Sequence, residues 1–223
     1  MEQTLLQNTL RNNPAEMYKS FHFLYSLLFF MCVFSVNADD CISYKITPKI
    51  VVNTPNWTKK IVSSTEPMDL LHGNVVATLI NDYDIISDVI SVPGGYCVGL
   101  KSVEAMVGYS DFLVKIDNRH TPKSCSYDAI VNHENKHIDA YLSVIKNYKK
   151  DIYDSLYSAA DTIIPIFVKN PDEINDAISK INNELQSHPN IVLTIQKIHA
   201  AEEIENKLID QQENYYELKK CLE

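Results

Sequence analysis

The order of the predicted elements in this 223-residue chain indicates an α+β fold. Short stretches in which apolar and polar residues alternate, separated by proline, glycine and asparagine, fill residues 41 to 117. Residues 126 to 164 contain neither proline nor glycine, and two further helical segments follow them. Because the strands precede the helices, we expect N-terminal antiparallel strands with a hairpin, then a long helix and C-terminal helices.

The first 38 residues are predicted to be an N-terminal extension and a signal peptide. Residues 21 to 36 form an apolar run that is too short for a comfortable membrane span, and Lys19 precedes it. The small residues that end at Ala38 are typical of a cleavage site. We expect no stable membrane anchor after cleavage, with a retained anchor as the alternative. Either Met1 or Met17 is the initiator, and Met17 would be the usual start for such a signal.

Residues 39 to 223 are predicted to form a single domain, since this length is enough to bury a core. The chain has five cysteines, and four of them belong to this domain: Cys41, Cys97, Cys125 and Cys221. An even number in an exported chain indicates two disulfides. The net charge of −9 argues against nucleic acid or an anionic membrane as a partner. The sequence carries no signal for the oligomeric state.

Four segments have the length and composition of strands: residues 41–52, 81–92, 96–107 and 112–117. Pro48 puts the first of them at a sheet edge or a bulge. Residues 53 to 67 are predicted to be a polar turn, and residues 69 to 80 fit either a short helix or a strand. Residues 93 to 95 are a Pro-Gly-Gly break. A turn at residues 108 to 111 would make the last two strands a hairpin.

Three helices are predicted in the second half of the chain. The first covers residues 126 to 164, and Ser124 or Ser126 can cap its first turn. The second is expected from Pro171 to about Ser187, and the third from Ile191 to the C-terminus.

The long helix carries the sequence His-Glu-Asn-Lys-His at residues 133 to 137, which has the pattern H-E-x-x-H. Residues four apart lie on one helix face, so His133 and His137 can reach one metal ion. Glu134 points to the same side, where it can deprotonate a metal-activated water. This arrangement is typical of zinc peptidases. A solvated helix face with two ordinary histidines is the alternative, and the apolar residues around the motif favour the metal site.

A peptidase zinc ion takes three protein ligands and one open position, so the motif needs a third ligand. At 1.5 Å per residue, Asp151 and Asp154 on the same helix lie about 25 to 30 Å from His133, and Asp161 lies about 40 Å from it. The last helix offers His199, Glu202, Glu203, Asp210, Glu213 and Glu217. If Cys221 lies near Cys125, the two helices are antiparallel and Asp210 comes level with the motif. We therefore favour Asp210 over Glu213, with Glu217 and His199 left open.

Two disulfide connectivities remain possible. The predicted hairpin would bring Cys97 close to Cys125, which favours the pairs Cys97–Cys125 and Cys41–Cys221. The rival set is Cys41–Cys97 with Cys125–Cys221. Only the rival set would fix the helix register on which the choice of Asp210 depends.

Residues 123 to 138, Lys-Ser-Cys-Ser-Tyr-Asp-Ala-Ile-Val-Asn-His-Glu-Asn-Lys-His-Ile, resemble a group of small secreted bacterial proteins of the zincin type. Proteins of that group carry a cysteine, an aromatic residue and then H-E-x-x-H, and they are regarded as metallopeptidases. The segment around Cys97 and the tail from residue 209 to Cys221 are also similar to that group.

This resemblance implies that His133 and His137 are zinc ligands and that Glu134 is the general base. Asp210 matches a residue of the tail pattern, whereas its role as a ligand is inferred from the helix register. The longer metzincin signature is absent, because Ala140 stands where its glycine would be.

Two functional hypotheses from different classes follow. The first is a secreted or periplasmic zinc-dependent peptidase that acts on a protein or peptide substrate, with Glu134 as general base. Its oxyanion would be stabilised by a residue such as Tyr127, Tyr215 or His120. The second is a catalytically inactive metal-binding or protein-interaction protein of the cell envelope. A Glu134 variant separates the two hypotheses. Loss of activity with retention of zinc would support the first one.

Overall fold

The structure, a computed structural model, describes residues 38 to 65, 72 to 213 and 219 to 221. Residues 38 to 223 form one compact unit. The extension, the signal peptide and both candidate start sites precede the described residues and stay predictions, as does the assignment of a zincin-like domain. In the described ranges, no helix is long and apolar enough to cross a membrane.

A five-stranded sheet is followed by a long helix and C-terminal helices, which confirms the α+β class. The strands are β1 Lys49–Asn53, β2 Thr58–Ser64, β3 Gly73–Val92, β4 Gly95–Asp117 and β5 Ile166–Val168. The helices are α1 Cys125–Thr162, α2 Ile174–Gln186 and α3 Pro189–Glu213. Two 3-10 segments complete the described elements: Ala38–Tyr44 and Pro171–Glu173.

β4 is the central strand of the sheet. β3 pairs with it antiparallel along one edge, from Gly73 opposite Ile116 to Val92 opposite Gly95. On the other edge, β1 and β2 are parallel to β4, and β5 is antiparallel to its first residues. Valines such as Val98, Val103 and Val114 are fully buried, because β4 has neighbours on both edges and α1 on one face.

The hairpin lies at a different place from the predicted one. β3 and β4 are joined by a two-residue turn at Pro93 and Gly94, where Gly94 has a positive φ of 86°. The predicted turn at residues 108 to 111 is wrong, because β4 continues through it. The pairing of β3 with β4 instead shifts register between Thr78, opposite Asp111, and Leu79, opposite Tyr109. Ser110 therefore has no residue of β3 opposite it. This shift is a β-bulge, which explains why polar residues typical of a turn occur within a continuous strand.

Other strand predictions are corrected as well. Residues 41 to 52 form a 3-10 segment and then β1, and the predicted polar turn at residues 53 to 67 contains β2. β2 looked like a turn because lysines such as Lys59 and Lys60 are exposed on it. The expectation that all strands are antiparallel is wrong for β1 and β2. Residues 73 to 80 are strand, as one of the two alternatives proposed.

The helices begin close to their predicted positions. Ser124 is the N-cap of α1, and its Oγ accepts a hydrogen bond of 3.2 Å from the backbone N–H of Tyr127. α1 then continues for 38 residues, about 57 Å, and ends shortly before Pro165. Its buried face, which includes Ile130, Ile145 and Leu156, packs on β4 and on α3.

The disulfides are Cys41–Cys97 and Cys125–Cys221, with Cα–Cα distances of 5.5 Å in each. The favoured pairing of Cys97 with Cys125 is therefore wrong. That pairing assumed a turn between the two cysteines. Cys97 instead lies near the start of β4 and Cys125 lies beyond its end, and a straight strand of this length spans on the order of 60 Å. The observed set is the one that fixes α1 against the end of the chain.

We expect each disulfide to stabilise the fold independently. The double variant Cys125→Ser/Cys221→Ser should lower the free energy of unfolding by about 2 to 4 kcal/mol, because the cross-link restricts the unfolded chain. The variant Cys41→Ser/Cys97→Ser should lose a similar amount, and urea unfolding measures both. A peptide that joins Cys97 to Cys125 in an unreduced digest would contradict the structure.

Candidate metal centre

Antiparallel packing of α1 and α3 brings the end of the chain to the H-E-x-x-H motif. The Cys125–Cys221 disulfide ties the start of α1 to the residues beyond α3. Far from it, the side-chain amide of Asn190 donates to Ser158 Oγ at 3.0 Å, which aligns the start of α3 with the last turns of α1. Between these two points the helices run side by side, and Asp210 lies level with the two motif histidines.

Three potential ligand atoms converge at this level. His133 Nε2 and His137 Nε2 are 3.1 Å apart, and Asp210 Oδ1 lies 3.3 Å and 3.2 Å from them, respectively. A tetrahedral zinc ion with bonds of 2.0 to 2.1 Å needs ligand atoms about 3.3 to 3.4 Å apart. The triangle therefore has nearly the size of one face of such a tetrahedron. Within the described ranges, it is the only group of three such side chains that could hold a metal ion.

The surroundings of the triangle differ from one side to the other. Both histidines are largely buried, whereas 62% of the Asp210 side chain is exposed. The site opens into a cleft of about 220 Å³, which is bounded by α1, by α3 and by Gly73, Asn74 and Val75 at the start of β3. An ion and a small ligand can enter from the Asp210 side, which leaves room for the open position of a catalytic zinc site.

Asn206 fixes the orientation of His137. Its amide nitrogen donates to the backbone carbonyl of Glu202 at 2.8 Å, so its Oδ1 faces the imidazole. His137 Nδ1 then donates to that oxygen at 2.7 Å. The proton on Nδ1 leaves the lone pair of Nε2 directed at the triangle, which is the tautomer a metal ligand requires. Asn206 and Asp210 are four residues apart on α3, so one helix face supplies both groups.

Glu134 lies in the same cleft and is only 2% exposed. Burial, and then the nearby Asp210 carboxylate, raise the pKa of Glu134 from 4.5 to about 7. Gly73 of β3 passes directly over it. A Cβ at this glycine would lie 2.8 Å from Glu134 Oε1 and 2.6 Å from Ile130 Cγ2. Only glycine allows the strand to approach the carboxylate this closely.

The other candidate ligands are placed elsewhere. His199 Nδ1 lies 3.2 Å from Glu202 Oε2, so these two α3 residues interact with each other. Glu203 is exposed and lies about two helical turns from Asp210. Glu213 ends α3 but its side chain, like all of Glu217, lies outside the described residues. The predicted set His133, His137 and Asp210 is the one the structure brings together, and its binding of zinc stays a prediction.

The residues suggested for the oxyanion do not line the cleft where they are described. His120 Nε2 lies 3.1 Å from His72 Nδ1, and its Nδ1 lies 3.0 Å from Ser126 Oγ. Tyr127 packs against the core. Tyr215 is outside the described residues.

Sequence reasoning missed five residues of the cleft: Gly73, Asn74, Val75, Tyr141 and Asn206. Tyr141 is four residues after His137, and Asn206 is four before Asp210, so helical periodicity alone could have found both. Gly73 carried no such signal, because its role depends on where β3 crosses α1.

Comparisons of the chain with protein-family models, with curated proteins and with solved structures find no match. The class of site is therefore defined by its own geometry, which is a His-His-Asp group on two helices with a buried glutamate beside it.

In the metal-free protein, we expect Glu134 to make stability fall as the pH rises. Its pKa is about 7 in the folded state and 4.5 when exposed, so the folded chain binds more protons between these values. The free energy of unfolding should decline through this window by on the order of 3 kcal/mol. Urea unfolding of chelator-treated protein at pH 5 and pH 8 measures the decline.

Glu134→Gln should remove this dependence, whereas the matched change Glu205→Gln at an exposed position of α3 should keep it. An equal decline in the Glu134→Gln protein would show that other groups cause it.

Proposed function

We propose that this protein is a zinc-dependent peptidase. The observation that carries the proposal is the convergence of His133 Nε2, His137 Nε2 and Asp210 Oδ1 within 3.3 Å of one another. Two neutral nitrogens and one carboxylate oxygen are the donor set of many catalytic zinc sites. A purely structural site would be closed, whereas this one adjoins a cleft that reaches the surface.

Five residues of the cleft have a role in this proposal. His133, His137 and Asp210 would hold the ion, and Asn206 keeps His137 in the required tautomer. A bound zinc ion supplies a Lewis acid, which polarises a carbonyl and makes water more acidic. Glu134 accepts the proton of the attacking water and returns it to the leaving amine.

A peptide is the substrate that the cleft fits best. The start of β3 forms one wall, and in the described part of the chain β3 pairs only with β4. Its outer edge therefore presents backbone groups to which an extended peptide can add as a further strand. Asn74 Oδ1 is buried at this wall without a hydrogen-bond partner among the described residues, so it can accept from a substrate N–H.

The compartment in the proposal is outside the cytoplasm, either secreted or periplasmic. Two disulfides indicate an oxidising environment, because cytosolic thiols are kept reduced. Nucleic acid is not a partner in this proposal, since the net charge is −9.

Substitutions at the site test the metal and the chemistry separately. His133→Ala and His137→Ala should each lose most bound zinc, because each removes one of three protein ligands. Asp210→Asn should also weaken zinc binding, because an amide oxygen is a poorer ligand than a carboxylate. The loss should be smaller than in the histidine variants, because an oxygen atom remains at the site. Zinc stoichiometry of the purified protein measures these effects. Full zinc content in both histidine variants would overturn the proposal.

Glu134→Gln should keep zinc but lose hydrolysis of an unstructured protein by a factor of about 100 or more. The amide is nearly isosteric with the acid but cannot accept the proton of water. If wild-type protein binds zinc and cleaves nothing, the protein is instead a catalytically inactive metal-binding or interaction protein.

The close approach of β3 provides a second test of the role of Glu134. Gly73→Ala should displace the carboxylate and reduce kcat/KM roughly 100-fold, because small misplacements of a catalytic group are costly. Zinc content should be retained, since the new Cβ meets Glu134 and Ile130 but no ligand.

Gly99→Ala is the matched control, because its Cβ would lie 3.5 Å from Pro165 in ordinary contact. Full activity in Gly73→Ala would mean that Glu134 does not act in the position described.

A further inference from the structure

The two disulfides of the protein differ in how easily a reductant can reach them. Cys41 and Cys97 are 0% and 1% exposed, respectively, so the bond between them lies in the core. Cys125 is exposed and Cys221 is half-buried, and their bond lies at the surface where α1 begins. A thiol can therefore attack the second bond in the folded protein, whereas attack on the first needs local unfolding.

The position of Cys125 also makes its sulfur a good leaving group. Cys125 is the first residue of α1, directly after the N-cap Ser124. The free N–H groups and the dipole at the start of a helix stabilise a thiolate there. Lys123 and Asp128 add one charge of each sign within three residues, so the helix terminus remains the net effect. A more stable thiolate leaves more readily when another thiolate attacks its partner sulfur.

The end of α3 has few other contacts that hold it against α1. Glu202 is the last buried residue among those described in this helix, and none of residues 203 to 211 is buried. Asn206 contributes its hydrogen bond to His137, and Ile209 is half-buried. A helical segment of about ten residues is not stable in water without tertiary contacts. The position of this segment therefore depends on the disulfide that ties the chain beyond it to α1.

Asp210 belongs to this weakly held segment. It precedes Cys221 by eleven residues, and its Oδ1 atom lies 3.3 Å from His133 Nε2 and 3.2 Å from His137 Nε2. The two histidines stay in place without the disulfide, because α1 packs on β4 through its own buried face. Separation of the end of α3 from α1 thus removes one of three potential metal ligands and leaves the other two.

We propose that the Cys125–Cys221 disulfide is a site of thiol–disulfide exchange, and that its reduction by a dithiol releases the end of α3 and lowers the affinity of the centre for its metal ion. This proposal rests on the metal centre of the proposed function and adds its regulation. The second disulfide, Cys41–Cys97, takes no part in it, because the core excludes the reductant.

The exchange takes two electrons and two protons from the dithiol. One thiolate of the dithiol attacks Cys221 Sγ, so that a mixed disulfide forms and Cys125 Sγ departs as a thiolate. The second thiolate attacks the dithiol sulfur of the mixed disulfide and releases Cys221 Sγ. The dithiol ends as a disulfide, and its two protons end on the two cysteines. The reverse steps restore the bond.

Docking of the end of α3 becomes an equilibrium once the bond is reduced. Only the docked state offers three ligands to the metal ion. If the segment is docked for about a tenth of the time or less, the apparent Kd for zinc rises at least about 10-fold.

Differential reduction tests the access to the two bonds. The purified, metal-free protein is treated with dithiothreitol under native conditions, free thiols are alkylated at intervals, and peptide masses identify the labelled cysteines. Cys125 and Cys221 should be labelled at least about 100-fold faster than Cys41 and Cys97. Equal rates for the two bonds, or faster labelling of Cys41 and Cys97, would overturn the proposal.

Zinc affinity tests the link between the bond and the metal ion. The Kd is measured by competition with a chromophoric chelator in the oxidised protein and in Cys125→Ser/Cys221→Ser, which has no free thiolate to bind zinc. The variant should bind zinc at least about 10-fold more weakly. An unchanged Kd would overturn the proposal.

Cys41→Ser/Cys97→Ser is the matched control, because it also lacks one disulfide but keeps the end of α3 tied to α1. Its Kd for zinc should stay within about 2-fold of the wild-type value. If this control does not fold, the wild-type protein that is reduced and alkylated only at Cys125 and Cys221 replaces the variants. It should show the same loss of affinity relative to the oxidised protein.

A double-variant cycle tests whether the effect passes through Asp210. Asp210→Ala removes the carboxylate whether or not the bond is present. Loss of the Cys125–Cys221 bond should therefore weaken zinc binding about 10-fold when Asp210 is present and less than about 2-fold in Asp210→Ala. A merely structural role of the disulfide would weaken binding equally in both backgrounds, and that result would contradict the proposal.

Hydrogen exchange separates failure of this proposal from failure of the proposed function. In metal-free samples, the amides of residues 203 to 213 should exchange at least about 10-fold faster in Cys125→Ser/Cys221→Ser than in the oxidised protein. If the oxidised protein binds zinc but exchange and Kd are equal in the two forms, the proposed function stands and the redox control fails. If the oxidised protein binds no zinc, both fail, and faster exchange would then show only that the bond holds α3.

Discussion

The site depends on one packing relationship, the antiparallel contact between α1 and α3. The motif on α1 supplies two imidazoles on its own, but the carboxylate comes from a helix whose nearest end is more than fifty residues away in sequence. Buried apolar residues such as Ile130 and Ile198 pack the two helices together. The Cys125–Cys221 disulfide sets the register of one helix along the other. A shift of one helical turn would move Asp210 about 5 Å, beyond reach of a shared ion.

Carboxylates are concentrated in and beside the metal cleft. Glu134 is buried beside Asp210, and Glu202 is buried one turn from Asn206, where Tyr109 is its hydrogen-bond partner. Burial of each carboxylate opposes folding, because taking a charged group out of water is unfavourable. Groups held in such positions by the surrounding structure are concentrated at functional sites. The apolar contacts of β4 and α1 supply the stability that allows them.

Local signals in the sequence were enough to predict the helices and the motif. Ser124, the absence of glycine and proline, and Pro165 defined α1 almost to its ends, and helical spacing joined His133 to His137. The strands were harder, because their pairing is not local. Ser110 looked like a turn but is part of a bulge opposite Thr78 and Leu79, which lie about thirty residues earlier in the chain. The same error at this point led to the wrong disulfides, while Gly73 could be understood only once β3 was seen to cross Glu134.

The origin of Asp210 near the end of α3 also has a consequence for biosynthesis. A chain still emerging from the ribosome or from a translocation channel can complete the sheet and α1 well before residue 210 is free to fold. During that interval it carries the two histidines and the glutamate without the carboxylate that completes the group. The last helix must dock, and the last cysteine must oxidise, before the group is complete. The order of the elements along the chain thus delays the assembled site until α3 has folded against α1.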